Sequence, residues 1–178
     1  RGSKFDIDLA GFCTGIVEEN GIIDGSIIRP GDKIIGIESS GLHSNGFSMI
    51  HDMLWRHQLF YKETPELITP TTIYAPVVEE LMEHQPILGM AHITGGGLVE
   101  NVPRILPEGL KAEIDYNSWP LPDIFKKVML AGDIPEEEMK RVFNLGIGFC
   151  VIVPPEEEDE VKKTIIPYHN CWTIGETK

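Results

Sequence analysis

Two segments of this sequence set histidine, hydroxyl and glycine residues behind an apolar run, a composition suited to phosphate chemistry. The first, Ile37 to Gly46, reads IESSGLHSNG, and the second, Ala91 to Gly97, reads AHITGGG. In both, a strand-like stretch ends, small residues follow and a helical pattern begins. Amides at a helix start lack partners within the helix, and glycines let a ligand approach them, so such a loop can hold an anion. His43 and His92 add groups that move protons near neutral pH or, when cationic, support a phosphoryl oxygen. Plainer readings stand beside these. Gly95, Gly96 and Gly97 could be only a tight turn, and Ser44, Asn45 and Thr94 only helix caps. GxxxxGK[ST] and GxGxxG are both absent, and the six histidines show no HxH or HExxH spacing, so no metal site is expected. A third loop, FNLGIG at Phe143 to Gly148, places Asn144 before an apolar run. Its glycines are explained by close packing at a strand entrance.

The elements that would position these groups follow from periodicity and turn chemistry. Strands are predicted at Lys33 to Glu38, Gly89 to Ile93, Leu110 to Asp115, Ile147 to Val153 and Cys171 to Ile174, with an earlier strand from Ile7 to Val17 returning at Ile22 to Gly25. Helices are predicted from Gly46 to Trp55, capped by Ser44 or Asn45, and from Thr71 to Glu83, with Pro70 near the first turn. Others span Leu98 to Leu106, made irregular by Pro103, then Asp123 to Leu130, Glu136 to Val142 and Pro155 to Thr164. The order lacks a strict βαβ rhythm, so the fold class is α+β, a mixed β-sheet covered by helices.

Composition narrows the partners. The chain has 178 residues, 42% hydrophobic content and a net charge of -13, enough for one domain and unfavourable for a nucleic-acid backbone. Trp55, Trp119 and Trp172 are too isolated to form a base-stacking platform. Glu136 to Glu138 and Glu156 to Glu160 read as solvated helix starts that complement the helix dipole. No apolar stretch is long enough to span a bilayer, so no membrane partner is expected. The odd set Cys13, Cys150 and Cys171, two of them in strand-like runs, suits buried thiols in a reducing, cytoplasmic setting.

Together the segments DLAGFCTGIVE, IIDGSIIRPGDKIIGIESSGLHSNGFSMI, LITPTTIY, MAHITGGGLVENVPRILPEGL and EEEMKRVFNLGIGFCVIV resemble the C-terminal domain of the AIR synthetase family. The resemblance runs through nearly the whole chain, in the family's order. It implies an ATP-dependent ligase of purine biosynthesis that closes the imidazole ring of formylglycinamidine ribonucleotide, through phosphorylation of the formyl oxygen and attack by the amidine nitrogen. It further implies that His43, Ser44 and Asn45 face a small-molecule ribonucleotide in the substrate cleft. His92 with Thr94 to Gly97 would hold phosphate or ribose phosphate, and Asn101 and Arg104 are lesser candidates.

The family's N-terminal domain, with its nucleotide loop, its Mg²⁺ carboxylates and its homodimer contacts, has no counterpart in residues 1–178. ATP and Mg²⁺ are therefore expected in the full enzyme, whereas this chain alone is expected to be inactive and to bind neither tightly. Two stretches, between His57 and Leu67 and between Thr164 and Cys171, look short against the family. A non-catalytic nucleotide- or phosphate-binding module and a related ATP-using enzyme are the alternatives.

Overall fold

The computed structural model describes residues 10–59 and 62–178. Their regular elements are β1 (Lys33–Glu38), α1 (Phe47–Trp55), α2 (Ala75–His84), β2 (Gly89–His92), α3 (Gly97–Asn101), β3 (Ala112–Ile114), α4 (Asp123–Gly132), α5 (Glu136–Val142), β4 (Ile147–Val153), α6 (Glu158–Ile165) and β5 (Cys171–Thr177), joined in places by short 3-10 turns. The strands form one sheet in the order β2-β4-β1-β5-β3. The α+β class holds. Within it every pairing is antiparallel rather than mixed.

The central strands β1 and β4 are apolar at nearly every position because both sheet faces are covered. Ile34, Ile147, Cys150, Ile152 and Ile174 meet Leu98, Val102 and Trp119 on one face. Ile35, Ile37, Val151 and Val153 meet Val77 and Leu81 of α2 and Val161 and Ile165 of α6 on the other. A further apolar cluster joins α1, α4 and α5 through Ile50, Met53, Phe125, Val128, Met139 and Phe143. The acidic runs behave as their charge predicts. Glu136 to Glu138 fill the first turn of α5 and Glu158 to Glu160 that of α6, with lysines in the last turns.

Several boundaries differ from expectation, each for a physical reason. Residues 7–9 lie outside the described residues. From Ala10 to Glu18 there is no strand, and Glu19–Gly21 is a single 3-10 turn. Phe12 and Ile16 are fully exposed, and so is Cys13 rather than buried. An apolar alternation makes a strand only where a neighbouring surface accepts it, and no described strand pairs with this segment. Helix α2 starts at Ala75, with Pro76 rather than Pro70 in its first turn. The preceding Thr72 amide points at His43, which holds Thr71 to Tyr74 out of the helix. Pro103 ends the α-helical geometry, and Val102–Ile105 continues as a 3-10 turn.

Candidate functional site

Antiparallel pairing brings the three glycine-containing loops to one end of the sheet. Glu38, the last residue of β1, pairs with Ile147, the first of β4, and His92, the last of β2, pairs with Phe149. Cys171, the first residue of β5, pairs with Ile37 at the same end. His43 and His92 thus meet, 49 positions apart in sequence, with ring centroids 6.3 Å apart. Tyr74, just before α2, lies 6.1 Å from His43 and 6.0 Å from His92.

His43 is 5% exposed and has a left-handed backbone (φ 54°). Its Nε2 accepts the Ser40 amide at 3.3 Å and the Thr72 amide at 3.4 Å. An imidazole nitrogen that accepts carries no proton, so the neutral ring holds its proton on Nδ1. That nitrogen is buried without a partner. Burial, and then the neighbouring His92, push the imidazole down to about 4, so it is neutral at physiological pH. His92 by contrast is exposed at the strand end. The rings of His43 and Tyr74 lie close to β4 because residue 148 is glycine. A Cβ there would overlap the Tyr74 hydroxyl and stand 2.5 Å from His43 Cε1.

Neither Ser44 nor Asn45 caps α1. The cap position is Gly46 in the left-handed region, and no side chain bonds to the helix start. Ser44 is exposed, while Asn45 is buried and donates to the Ile93 carbonyl at 3.4 Å, tying the first loop to the second. Thr94 is not a cap either: the cap of α3 is Gly96, and the Thr94 hydroxyl donates to Asn101 Oδ1 at 3.2 Å. Gly95 faces open space, Gly96 lies against Glu100, and Gly97 is buried against the end of α5. Asn101 is buried with its amide directed into the glycine loop, and Arg104 pairs with Glu100 at 3.6 Å.

Tyr74, Asn144 and His169 also belong to this end of the sheet; of these, sequence pattern singles out only Asn144, as part of the third loop. The Tyr74 hydroxyl donates to the Glu38 carbonyl at 2.7 Å, and burial raises it well above the ordinary tyrosine range. Asn144 is fully buried and cross-links the first and third loops. Its Nδ2 donates to the Gly41 carbonyl, and its Oδ1 accepts the Ser39 hydroxyl and the Gly146 amide. His169 packs 5.5 Å from Tyr74. The only hint for Tyr74 and Asn144 was a polar group beside an apolar run, and their partners are distant in sequence. Two clefts open beside the first loop. One, of ≈ 570 Å³, is lined by Glu38, Ser40, Thr72 and His169, and the other, of ≈ 450 Å³, by His43, Ser44, His51 and Thr69. Among the described residues no three His, Cys, Asp or Glu side chains are grouped to hold a metal ion.

Residues 29–178 match the family described as AIR synthase related protein, C-terminal domain. The chain belongs to that family. It is 47% identical over 180 residues to a phosphoribosylformylglycinamidine cyclo-ligase of Synechococcus sp. (strain CC9902), covering 95% of this chain and 52% of the relative. It is 48% identical over 182 residues to the cyclo-ligase of Carboxydothermus hydrogenoformans, covering 96% and 53%. The chain thus spans about half the length of the curated relatives it matches. Among solved structures, E. coli HypE, a hydrogenase maturation protein, superposes with a TM-score of 0.62 at 18% identity over 86% of this chain and 45% of that one. T. maritima PurL complexed with AMPPCP gives 0.56 at 14% identity over 90% and 24%. At such identities the likeness is one of fold. No helix among the described residues is long and apolar enough to cross a membrane.

Proposed function

We propose that residues 1–178 are the C-terminal domain of a phosphoribosylformylglycinamidine cyclo-ligase, a cytoplasmic enzyme of purine biosynthesis that closes an imidazole ring at the expense of ATP. The observation that carries this is the meeting of His43 and His92 at one end of the sheet, in a chain of this family. ATP supplies the phosphoryl group that turns the formyl oxygen into a leaving group, so that ring closure releases phosphate and ADP. The portion of the relatives' length that this chain does not span would hold ATP and Mg²⁺ and make the homodimer contacts, as the family resemblance implies. PurL solved with AMPPCP supports nucleotide use within the fold.

This domain's part is to bind the ribonucleotide and handle its protons. As the amidine nitrogen attacks the formyl carbon it must lose a proton, and His92 is exposed to receive it. His43 is held neutral and serves as a fixed donor rather than a proton carrier. The glycine loop, Thr94 to Gly97, takes the substrate's phosphate, while Ser44 presents its hydroxyl from the first loop and Asn45 ties that loop to the second. Identity of 47% to a named cyclo-ligase favours this substrate over that of another ATP-using relative.

The test is steady-state ring closure by the intact enzyme that carries this domain. His92→Ala should lower kcat by roughly 10²- to 10⁴-fold, the span of general-base contributions, with the KM for ATP unchanged. Undiminished kcat would remove His92 from the chemistry.

A further inference from the structure

Asn101 is the last residue of α3 and 6% exposed, although asparagine is a poor helix former and its amide has several hydrogen-bonding positions to satisfy. Those positions are directed at one loop. Nδ2 donates to the Gly97 carbonyl at 2.7 Å, the Gly95 carbonyl at 3.2 Å and the Thr94 carbonyl at 3.3 Å. Oδ1 accepts the Thr94 hydroxyl at 3.2 Å and lies 3.5 Å from Arg104 Nη1. The network fixes which way the amide is turned, because the reverse would set its oxygen against three carbonyl oxygens.

In a trans peptide the N–H points opposite to the C=O of the same plane. With the Thr94 and Gly95 carbonyls turned toward Asn101, the amide protons of Gly95 and Gly96 are turned away from it, to the outer side of the loop. A Cβ on Gly95 would meet nothing within 4 Å and Gly95 is itself exposed, so the loop is open to solvent at this residue. The Gly97 amide is spent on the Thr94 carbonyl at 3.0 Å, which leaves Gly95 and Gly96 as two consecutive donors for a ligand. The Glu100 carboxylate lies against Gly96 and is paired with Arg104.

We infer that Asn101 is a positioning residue: without touching substrate, it turns three loop carbonyls inward and thereby aims the Gly95 and Gly96 amides at an anionic oxygen of the ribonucleotide. The inference rests on the reading of this loop as part of the substrate site. It separates Asn101, whose donors are spent inside the loop, from the groups that meet the ligand.

Two readouts test it. In this chain, followed by amide NMR, Asn101→Leu and Asn101→Asp should both move the Gly95 to Leu98 amides and speed their hydrogen exchange by about tenfold or more, while the amides of β1 and β4 stay in place. Should either variant fail to fold, the exposed Thr94→Val, which removes the hydroxyl that holds Oδ1, gives the same displacement to a smaller degree. In the intact enzyme, both Asn101 variants should raise the ribonucleotide KM by about tenfold or more, with a smaller change in kcat. Asp fills the same space and keeps the acceptor but sets an oxygen in place of the donors against the three carbonyls, so loop amides left undisturbed by Asp would show that the donors do not hold those carbonyls. Undisturbed loop amides, or rescue by Asp, overturns the inference and leaves the functional reading untouched. Displaced loop amides with an unchanged ribonucleotide KM overturn both the site reading of this loop and the role assigned to Asn101 within it.

Discussion

Alanine at position 97 is expected to destabilise the domain by about 2 to 5 kcal/mol, the sum of a left-handed backbone and an overpacked contact. Gly97 has φ 57°, and a Cβ there would overlap the Lys140 carbonyl oxygen and stand 2.8 Å from that of Phe143. Both obstacles are backbone atoms at the end of α5, so no side-chain rotation relieves them. The start of α3 would have to move off α5, taking the Asn101 network and the glycine loop with it. Gly95→Ala is the contrast: it meets open space and has no positive φ, so its effect on stability should stay within about 1 kcal/mol, as for a glycine-to-alanine change without strain. Urea denaturation of the two variants beside the wild type checks both. A Gly97→Ala midpoint close to the wild type would mean that α3 and α5 are less tightly apposed than described.

Acid should weaken the native domain through His43 before its carboxylates take part. The folded imidazole is pushed down to about 4 from an ordinary 6.5, so the unfolded chain takes up the proton first. Stability is therefore unaffected by this group above pH 6.5, falls as the pH drops through 6.5, and levels off below about 4. The full shift corresponds to on the order of 3 kcal/mol. Glu158 and Asp123, held below the usual carboxylate range by Lys162 and Lys126, contribute stability that is lost at still lower pH. The clean comparison is thus the difference between wild type and His43→Gln at about pH 7.5 and about pH 5, measured by urea denaturation. The variant should lose less stability than the wild type over that interval. An equal loss in both would mean that His43 titrates like a solvent-exposed imidazole. Because His92 is the second cause of the shift, His92→Ala should return part of the difference.

The elements legible in the sequence were those whose cause is local. β1 and β4 showed as unbroken apolar runs because both of their faces are covered, and α5 and α6 showed through acid at one end and lysine at the other. The start of α2 was not legible because the Thr72 amide bonds to His43, 29 positions away, and overrides the helical pattern of Thr71 to Tyr74. The residues from Ala10 to Val17 carry strand-like residue types, but a strand needs a neighbour that sequence pattern cannot supply. In the site, His43 and His92 stood out by residue type. Tyr74 and Asn144 did not, since their roles are bonds to Glu38 and to Ser39 and Gly41, set by the antiparallel register of β1 with β4. Asn101 could be picked out as polar, but whether its amide faces a ligand or its own loop depends on how α3 closes back on Thr94.

The proposed function requires that the loops holding His43 and His92 form one substrate site. Hydrogen exchange of the intact enzyme with and without formylglycinamidine ribonucleotide tests it most directly. Protection should appear together in residues 39–46 and 92–97, with the same dependence on ribonucleotide concentration, and both changes should be lost in His43→Ala. Protection that spares both segments while the ribonucleotide is bound would place the substrate elsewhere and rule out a shared site at these loops.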